Sequence, residues 1–539
     1  MVDPRIQFGR RAGMAGVLRA SPSRWGWILL GLGLLTSVRG ILWGAEPPVL
    51  QAAGDAAAVL RGGQWARTYC VTCHLFPEPE ALDRNTWYQQ ILPRMKYRLG
   101  FSTPELEQSP NIRILRENKR IPLQPVITED QWLDLAAYYL AKSPEKPLPQ
   151  DAPPPIAVGL PGFRVVVPDL PLHPPSITAV KILPGRGALA ADAGTRSVRV
   201  VGVDGRAGAS MGVSNVVASF RGLPEGILTA GLGSFLPSDA PGGAVFWLTN
   251  APDWHRGPDR ISGLPRTTDA NAADLNGDGR LDYVVSCFGN NVGRLSWWEA
   301  RADGTLQEHE LFPLPGTLRT EIRDFNGDGH PDIAALVAQE TEAMFVFLGD
   351  GRGGFERTTA FQRPPYWGHS SFQVADFNGD GRPDFLVTNG DNGEFSSPSK
   401  RYHGVRIYLA QGGGVWKETY FFPLFGAYQA VVRDFDGDGD LDIGAISFFP
   451  DYQRSPRGSF VYLSSDGSGR FQASTFAESA TGRWLALDAG DFDGDGDEDL
   501  LLGSYIKGPT PVPAVLMEAW DEADRPLILL ENMRRSGKP

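Results

Sequence analysis

The sequence predicts a multidomain chain, a small all-α domain followed by an all-β seven-bladed β-propeller. Three observations carry this reading. A Cys-x-x-Cys-His run, Cys70 to His74, sits among segments with helical spacing. An acidic motif, Asp-x-Asn/Asp-Gly-Asp-Gly-x-x-Asp, recurs five times, beginning at Asp274, Asp324, Asp376, Asp434 and Asp491. Between the two lies a proline-rich stretch, Pro147 to Pro155, which reads as a stiff extended linker.

Composition sets the frame. A chain of 539 residues is too long for one ordinary domain. With 42% apolar and 21% charged residues it belongs among globular proteins, and its 64 Gly and 44 Pro point to many tight turns, hence mostly β structure. Three cysteines exclude a disulfide framework. No nucleic-acid partner is expected of this acidic chain, whose net charge is −12.

The N-terminus, residues 1–45, reads as a targeting segment. Arg5, Arg10, Arg11, Arg19 and Arg24 precede an apolar run from Trp25 to Val38, closed by Arg39. That length suits a signal peptide and is short for a bilayer span. Reading on past Arg39 to Trp43 gives the alternative, an uncleaved membrane anchor. Either way the basic arm orients the rest of the chain outward, to a bacterial periplasm or cell surface.

Residues 46–146 form the next domain. A helix precedes Cys70, another covers Trp87 to Met95, and a third spans Glu129 to Lys142. Thr128 supplies a hydroxyl cap with Glu129 and Asp130 in the first turn, and Leu133, Ala136, Ala137 and Leu140 follow helical spacing. In Cys70-Val71-Thr72-Cys73-His74, two thiols two residues apart suit thioether bonds to the vinyl groups of one haem. The adjacent imidazole of His74 then becomes an axial iron ligand. A zinc site would need a second ligand pair, and a thioredoxin-like pair a βαβ context; neither is present. Met95 is the only methionine between residues 46 and 150 and the candidate for the other axial position. The alternatives are a five-coordinate iron or Lys96 as ligand. The segment Leu92 to Gly100 resembles the methionine loop of class I cytochromes c, so the domain is expected to be a cytochrome c domain with covalent haem c.

The acidic motifs recur at spacings of 50, 52, 58 and 57, the period of a four-stranded propeller blade. Each joins a short strand to an apolar one. Side-chain oxygens at positions 1, 3, 5 and 9, with a backbone carbonyl at 7, make a cage suited to Ca²⁺. The sets are Asp274, Asn276, Asp278, Arg280 and Asp282; Asp324, Asn326, Asp328, His330 and Asp332; and Asp376, Asn378, Asp380, Arg382 and Asp384. The last two are Asp434, Asp436, Asp438, Asp440 and Asp442, and Asp491, Asp493, Asp495, Asp497 and Asp499. Position 12 is Val285, Ala335, Val387, Ala445 or Leu502, which excludes an EF-hand. Without residues 1–45 the net charge becomes −17, and five calcium ions would return it to −7, so most of the acidity reads as metal ligand.

On these motifs residues 162–539 resemble the FG-GAP/VCBS repeat family, the calcium-loop propellers related to the integrin α-chain head. Two further blades lack the acids: Ser176 to Ile182, Ala188 to Ala193 and Ser197 to Val203 form one, and Asn215 to Phe220, Ile227 to Phe235 and Ala244 to Asn250 the other. The last blade lacks a fourth strand after Asn532, and Phe163 to Val167 has the missing pattern, so the two ends are expected to pair. The arrangement as a whole resembles cytochrome–propeller fusions of bacterial cell envelopes.

The function this implies is electron transfer to a redox partner protein in the envelope, with the propeller binding a protein or glycan. The alternative is a dehydrogenase that oxidises a sugar or alcohol on the propeller and passes electrons to the haem. No nucleotide loop, nucleophile elbow or Rossmann fingerprint occurs. Opposite the acidic loops, a ligand face is expected from Trp254, His255, Asn290, Asn291, Tyr366, Trp367, His369, Asp391, Asp451, Tyr452 and Lys507. These residues equally suit packing between blades. Cys287 reads as a small buried apolar group. The haem domain is expected beside the seam between the first and last blades, held weakly or not at all, with its haem edge open to an outside partner.

Overall fold

The computed structural model describes residues 48–149, 155–250, 253–391, 400–508 and 510–534. The targeting segment lies outside them, as does part of the linker. From Pro48 onward the chain forms one compact unit.

Its first part is helical. Asp55 accepts a hydrogen bond from the Ala57 N–H and starts the helix Ala56–Tyr69. Thr128 and Gln131 form a reciprocal capping box at the head of the helix Glu129–Lys142. The two helices meet at Gly62, where a Cβ would lie 1.9 Å from the Asp134 carbonyl oxygen. Arg61 clasps Asp134 across the same contact at 2.7 Å. The buried stripe of the second helix runs through Trp132, Leu135, Ala136, Ala137, Tyr139 and Leu140. Leu133, expected inside, is only half-buried, and the buried stripe runs through Trp132 and Tyr139 instead. Trp87 packs on Tyr139 with ring centroids 4.3 Å apart and donates to the Pro79 carbonyl. A helix at Pro110–Glu117 was not among those expected. Proline reads as a breaker, but Pro110 sits in the first turn, where no N–H is missed.

Seven four-stranded antiparallel blades follow. They span residues 177–212, 217–264, 267–312, 317–363, 369–423, 427–475 and 484–532, numbered here blades 1 to 7. The two blades without acidic motifs form as expected. The second strands are the buried ones; Asp332–Ala338 and Asp384–Asn389 are buried at every position. Between neighbouring blades apolar side chains interlock, as where Leu336 and Val346 meet Phe372 and Phe385.

Both ends of the ring chain meet in blade 7. The strand Phe163–Val166 pairs antiparallel with Leu527–Asn532, Phe163 opposite Asn532, and Arg164 holds Glu531 at 2.6 Å. This is the expected closure. One strand was not foreseen: Ala157–Val158 adds to blade 6 in parallel, opposite Ser474 and Thr475. A helix, Ala514–Ala523, also interrupts blade 7 and seats Trp520 against the Ala480 carbonyl.

Strand order fixes two faces. Hairpins from first to second and third to fourth strand lie on one, the acidic face. Second-to-third loops and blade-to-blade connections lie on the other. The helical part rests on this second face, over blades 3 to 5. Arg98 pairs with Glu340 at 2.5 Å, Asn291 donates to Asn111 at 3.3 Å, and Arg120 donates to the Pro313 carbonyl. Tyr366 packs into the apolar core of the helical part. The expectation of a loosely held domain beside the seam of blades 1 and 7 is therefore corrected. Four successive loops, which only the closed ring brings together, make the seat.

Candidate functional sites

In each acidic loop the position-1 carboxylate gathers the loop's own N–H groups. Asp274 accepts from Gly277 and Gly279 at 2.8 Å each, and Asp324 from Gly327 and Gly329 at 2.6 and 2.8 Å. Both glycines of a loop adopt positive φ, 76° and 78° at Gly277 and Gly279, which folds the acids inward. Position 9 does a different job from the one expected of a simple ligand. Asp282 accepts from Leu275 and Ala300, Asp332 from Phe325 and Gly349, and Asp384 from Phe377 and Ala410. Asp499 accepts from Phe492 and Asn532, and Asp442 from Ser465 and the Tyr462 hydroxyl. Each thus staples its loop to the third strand. Burial raises the pKa of all five, to about 6 for Asp442 and about 7 for Asp499.

The five loops are not equal. Arg280 donates to Asp278 and Arg382 to Asp380, so a guanidinium sits on the acids of blades 3 and 5. In blade 4 position 7 is His330. Among the described residues, carboxylates converge within 4.8 Å of one another at Asp434, Asp436 and Asp438, and at Asp491, Asp493 and Asp499. The loops of blades 6 and 7 are therefore best furnished to hold a divalent cation. Asp440 and Asp497, at position 7 of those two loops, add charge where blades 3 and 5 carry arginine.

Cys70 and Cys73 are free thiols. Cys70 is half-buried, its sulfur 3.8 Å from the Tyr139 hydroxyl, and burial pushes its pKa to about 11. Cys73 is exposed. His74 Nδ1 lies 2.9 Å from the Leu75 carbonyl, which leaves Nε2 as the nitrogen open to a metal. Burial lowers the His74 pKa, against the Leu75 hydrogen bond and the charge of Glu340. A neutral imidazole is the ligating form. Met95 and Cys70 are both partly buried and pack against the core of the helical part. Two free thiols, a neutral imidazole and a thioether supply the donor types a covalently attached haem requires. Lys96 instead pairs with Glu129 at 2.5 Å.

The expected ligand face divides. Trp254 and His255 do not belong to it, since they open the fourth strand of blade 2, and the hairpin before them lies on the acidic face. Asn290 and Asn291 do, fixed by Asp239, which accepts from both backbone N–H groups. Asn291 and Tyr366 are engaged by the helical part. His369 is buried in the first strand of blade 5 and closed to solvent. Asp451 accepts from the Gln453 and Arg454 N–H groups, and the Tyr452 ring lies against Trp520 at 5.9 Å. Asp391 belongs to the blade 5 loop, and Lys507 is exposed on blade 7.

Sequence reasoning missed a buried polar network beneath Tyr366. Glu342 accepts from the N–H groups of Gly368 and His369 at 3.2 and 3.0 Å. Asn389 donates to the carbonyls of Trp367 and Tyr402, and Tyr402 donates to the carbonyl of Tyr366 at 3.0 Å. Arg406 donates to Asn389 and lies between Phe421 and Trp367, 4.0 and 5.0 Å from the ring centres. His369 Nδ1 is 2.8 Å from Glu342, at angles that do not suit a hydrogen bond. Burial raises Glu342 well above the usual carboxylate range and lowers His369 to about 3, so burial works against the charged form of each. Its members are scattered from Glu342 to Arg406, across two blades, which hides such a network from any local motif.

Residues 274–335 and 324–387 each match the FG-GAP-like repeat, and residues 370–409 match the FG-GAP repeat. These stretches, in blades 3 to 5, are FG-GAP repeats. No curated protein matches the chain. Among solved structures it is similar to BBS1N in complex with ARL6DN, at 9% identity and a TM-score of 0.42, covering 70% of this chain and 98% of that one. It is similar also to the N-terminal domain of Nup159, at 11% identity and a TM-score of 0.39, covering 70% and 96%. Virginiamycin B lyase from Staphylococcus aureus follows at 11% identity and 0.43, covering 68% and 98%. Similarity at this level assigns no role to any residue.

Proposed function

We propose that the chain is an exported electron-transfer protein, a c-type cytochrome seated on a calcium-stabilised propeller that binds a protein or glycan. The observation that supports it most is Cys70-Val71-Thr72-Cys73-His74 with Nε2 of His74 left open. Haem, when bound, supplies one-electron chemistry. The chain's part would be to fix and tune it: Cys70 and Cys73 would attach the macrocycle, His74 would ligate the iron through Nε2, and Met95 would offer a thioether sulfur to it. The Leu75 carbonyl orients the imidazole and sets its tautomer. An envelope location follows from the N-terminal reading, since haem attachment of this kind belongs to exported chains.

The test is a reduced-minus-oxidised spectrum of the denatured protein after expression with export and haem-attachment machinery. Covalent haem c is expected in the parent and lost in Cys70→Ala and Cys73→Ala. A parent chain carrying no covalent haem would overturn the reading. Met95→Ala should keep the haem yet shift the ligand-field bands and the reduction potential. Unchanged bands would leave Lys96 or a five-coordinate iron as the alternatives.

A second reading, a dehydrogenase, draws on the docked arrangement. With the Cys-His segment beside the ring, an electron leaving a ligand on that face has a short way to go. Reduction of the haem by added sugars or alcohols, with no other donor present, would favour it. On the acidic face, calcium should bind most tightly in blades 6 and 7. Asp436→Ala and Asp493→Ala are expected to reduce calcium uptake in calorimetry more than Asn276→Ala or Asn378→Ala. Equal losses across all four would remove the distinction between loops.

A further inference from the structure

We infer that Asn532 is a latch through which calcium held by the loops of blades 6 and 7 governs closure of the ring. This rests on the calcium reading proposed above. The last strand, Leu527–Asn532, ends between those two acidic loops, and Asn532 is 1% exposed. Its backbone N–H donates to Asp499 of the blade 7 loop at 2.7 Å. Its amide nitrogen donates to the Glu498 carbonyl of the same loop at 3.2 Å, and to the Phe435 carbonyl of the blade 6 loop at 2.7 Å. In the other acidic blades the residue that donates its N–H to the position-9 aspartate is Ala300, Gly349, Ala410 or Ser465. None of these carries an amide.

The closing strand shares the same place. Phe163 stands opposite Asn532 in the ladder, and the Met533 N–H donates to the Gly162 carbonyl at 2.8 Å. The Phe163 ring lies 6.0 Å from that of Phe435 and 5.6 Å from that of Tyr462. The Tyr462 hydroxyl in turn donates to Asp442 of the blade 6 loop at 2.6 Å. Arg534, just past the last strand, lies 3.6 Å from Asp436 of that loop. Both ends of the ring chain thus meet the two loops whose carboxylates converge within 4.8 Å of one another.

Phe435 and Glu498 each adjoin a carboxylate of a cage, Asp434 and Asp499. A cation that draws those carboxylates together fixes the neighbouring carbonyls, and with them both partners of the Asn532 amide. Without it the acids repel one another, and a buried amide whose partners drift pays for its lost hydrogen bonds. The closing strand has a single neighbour in its sheet, so it loosens first. Coupling of this kind is reciprocal: a latch that lets calcium steady the seam also lets the seam tighten calcium.

The experiment uses the full chain, stripped of divalent cations and then reloaded with calcium. Hydrogen exchange is followed in peptides covering residues 163–166 and 527–532, and calcium uptake by calorimetry. In the parent, stripping should speed exchange at the seam at least tenfold beyond any change at Gly243–Asn250 in blade 2, which has no acidic loop. Asn532→Ala should exchange fast at the seam with calcium present, and should bind calcium several-fold more weakly although Asn532 is no ligand. Should that variant fail to fold, Asp436→Asn takes its place and should loosen the seam in calcium as stripping does. A parent that binds calcium yet exchanges alike at the seam and in blade 2 overturns the latch and leaves the calcium reading standing. So does a folded Asn532→Ala with parental exchange and affinity. A parent that takes up no calcium overturns both.

Discussion

Chelation of divalent cations at neutral pH is expected to destabilise the ring by several kcal/mol. Each acidic loop gathers carboxylates that repel one another, and a cation bound only by the folded loop adds its binding free energy to stability. A loop held at a hundredfold excess over its Kd contributes about 2.7 kcal/mol. The loss should be largest from blades 6 and 7, where the carboxylates converge within 4.8 Å of one another. The pH dependence gives the argument its sign. Burial raises Asp442 to about 6 and Asp499 to about 7 in the cation-free fold. Their unfolded values lie near the ordinary ~3.9 of aspartate. With a raised folded pKa the protonated form favours folding, fully below the unfolded value. That contribution is lost as pH rises through 4 toward the folded values of about 6 and 7. The chelated chain should therefore melt at progressively lower temperature between about pH 4 and 7, while the calcium-loaded chain should not. Melting curves with and without chelator across that range decide it. Coincident curves would remove the cation from the stability of the ring, provided elemental analysis showed the ions stripped.

Arg164→Pro should cost about 1–3 kcal/mol for the buried partner it leaves unsatisfied, while Arg164→Ala should cost less than about 1. The Met533 N–H donates to the Gly162 carbonyl at 2.8 Å. Alternation along an antiparallel ladder then turns the Arg164 N–H inward, toward the strand Leu527–Asn532. Proline there removes a ladder donor at the one place where the ring closes. The opposing strand is buried at every position, so a slipped closure exposes an apolar edge. Alanine loses only the ion pair to Glu531, in which the arginine side chain is half exposed. Thermal unfolding and gel filtration separate the two outcomes: the proline variant should melt early and associate. Equal stability of both variants would show that closure does not depend on this strand.

Much of the ring was legible because its signals are local. The acidic motif, the apolar strand after it and the fixed period place five blades, and the strand patterns of residues 176–250 give two more. Closure through Phe163 was legible as a missing strand at one end and a surplus one at the other. Position 9 was only half legible: an aspartate there reads as one more ligand, and its hydrogen bonds to the third strand appear only once the hairpin is folded. Trp254 and His255 were put on the wrong face because the hairpin after a third strand was counted with the loops after second strands. The seat of the helical part could not be read at all. It needs Asn291, Pro313, Glu340 and Tyr366 side by side, and nothing in their own neighbourhoods announces that.

The pairing of Arg164 with Glu531, 367 positions apart, also orders events in time. A chain made from its N-terminus completes the helical segment first, and domains generally fold as they emerge. Blades 3 to 5, which supply its seat, come much later, and the partner of the strand Phe163–Val166 comes last of all. During that interval the Cys70–His74 segment has no ring beside it and stays reachable by whatever machinery acts on its thiols. Once the final strand locks the ring, any such work is done on a helical part already seated, through the thiol of Cys73 that stays exposed.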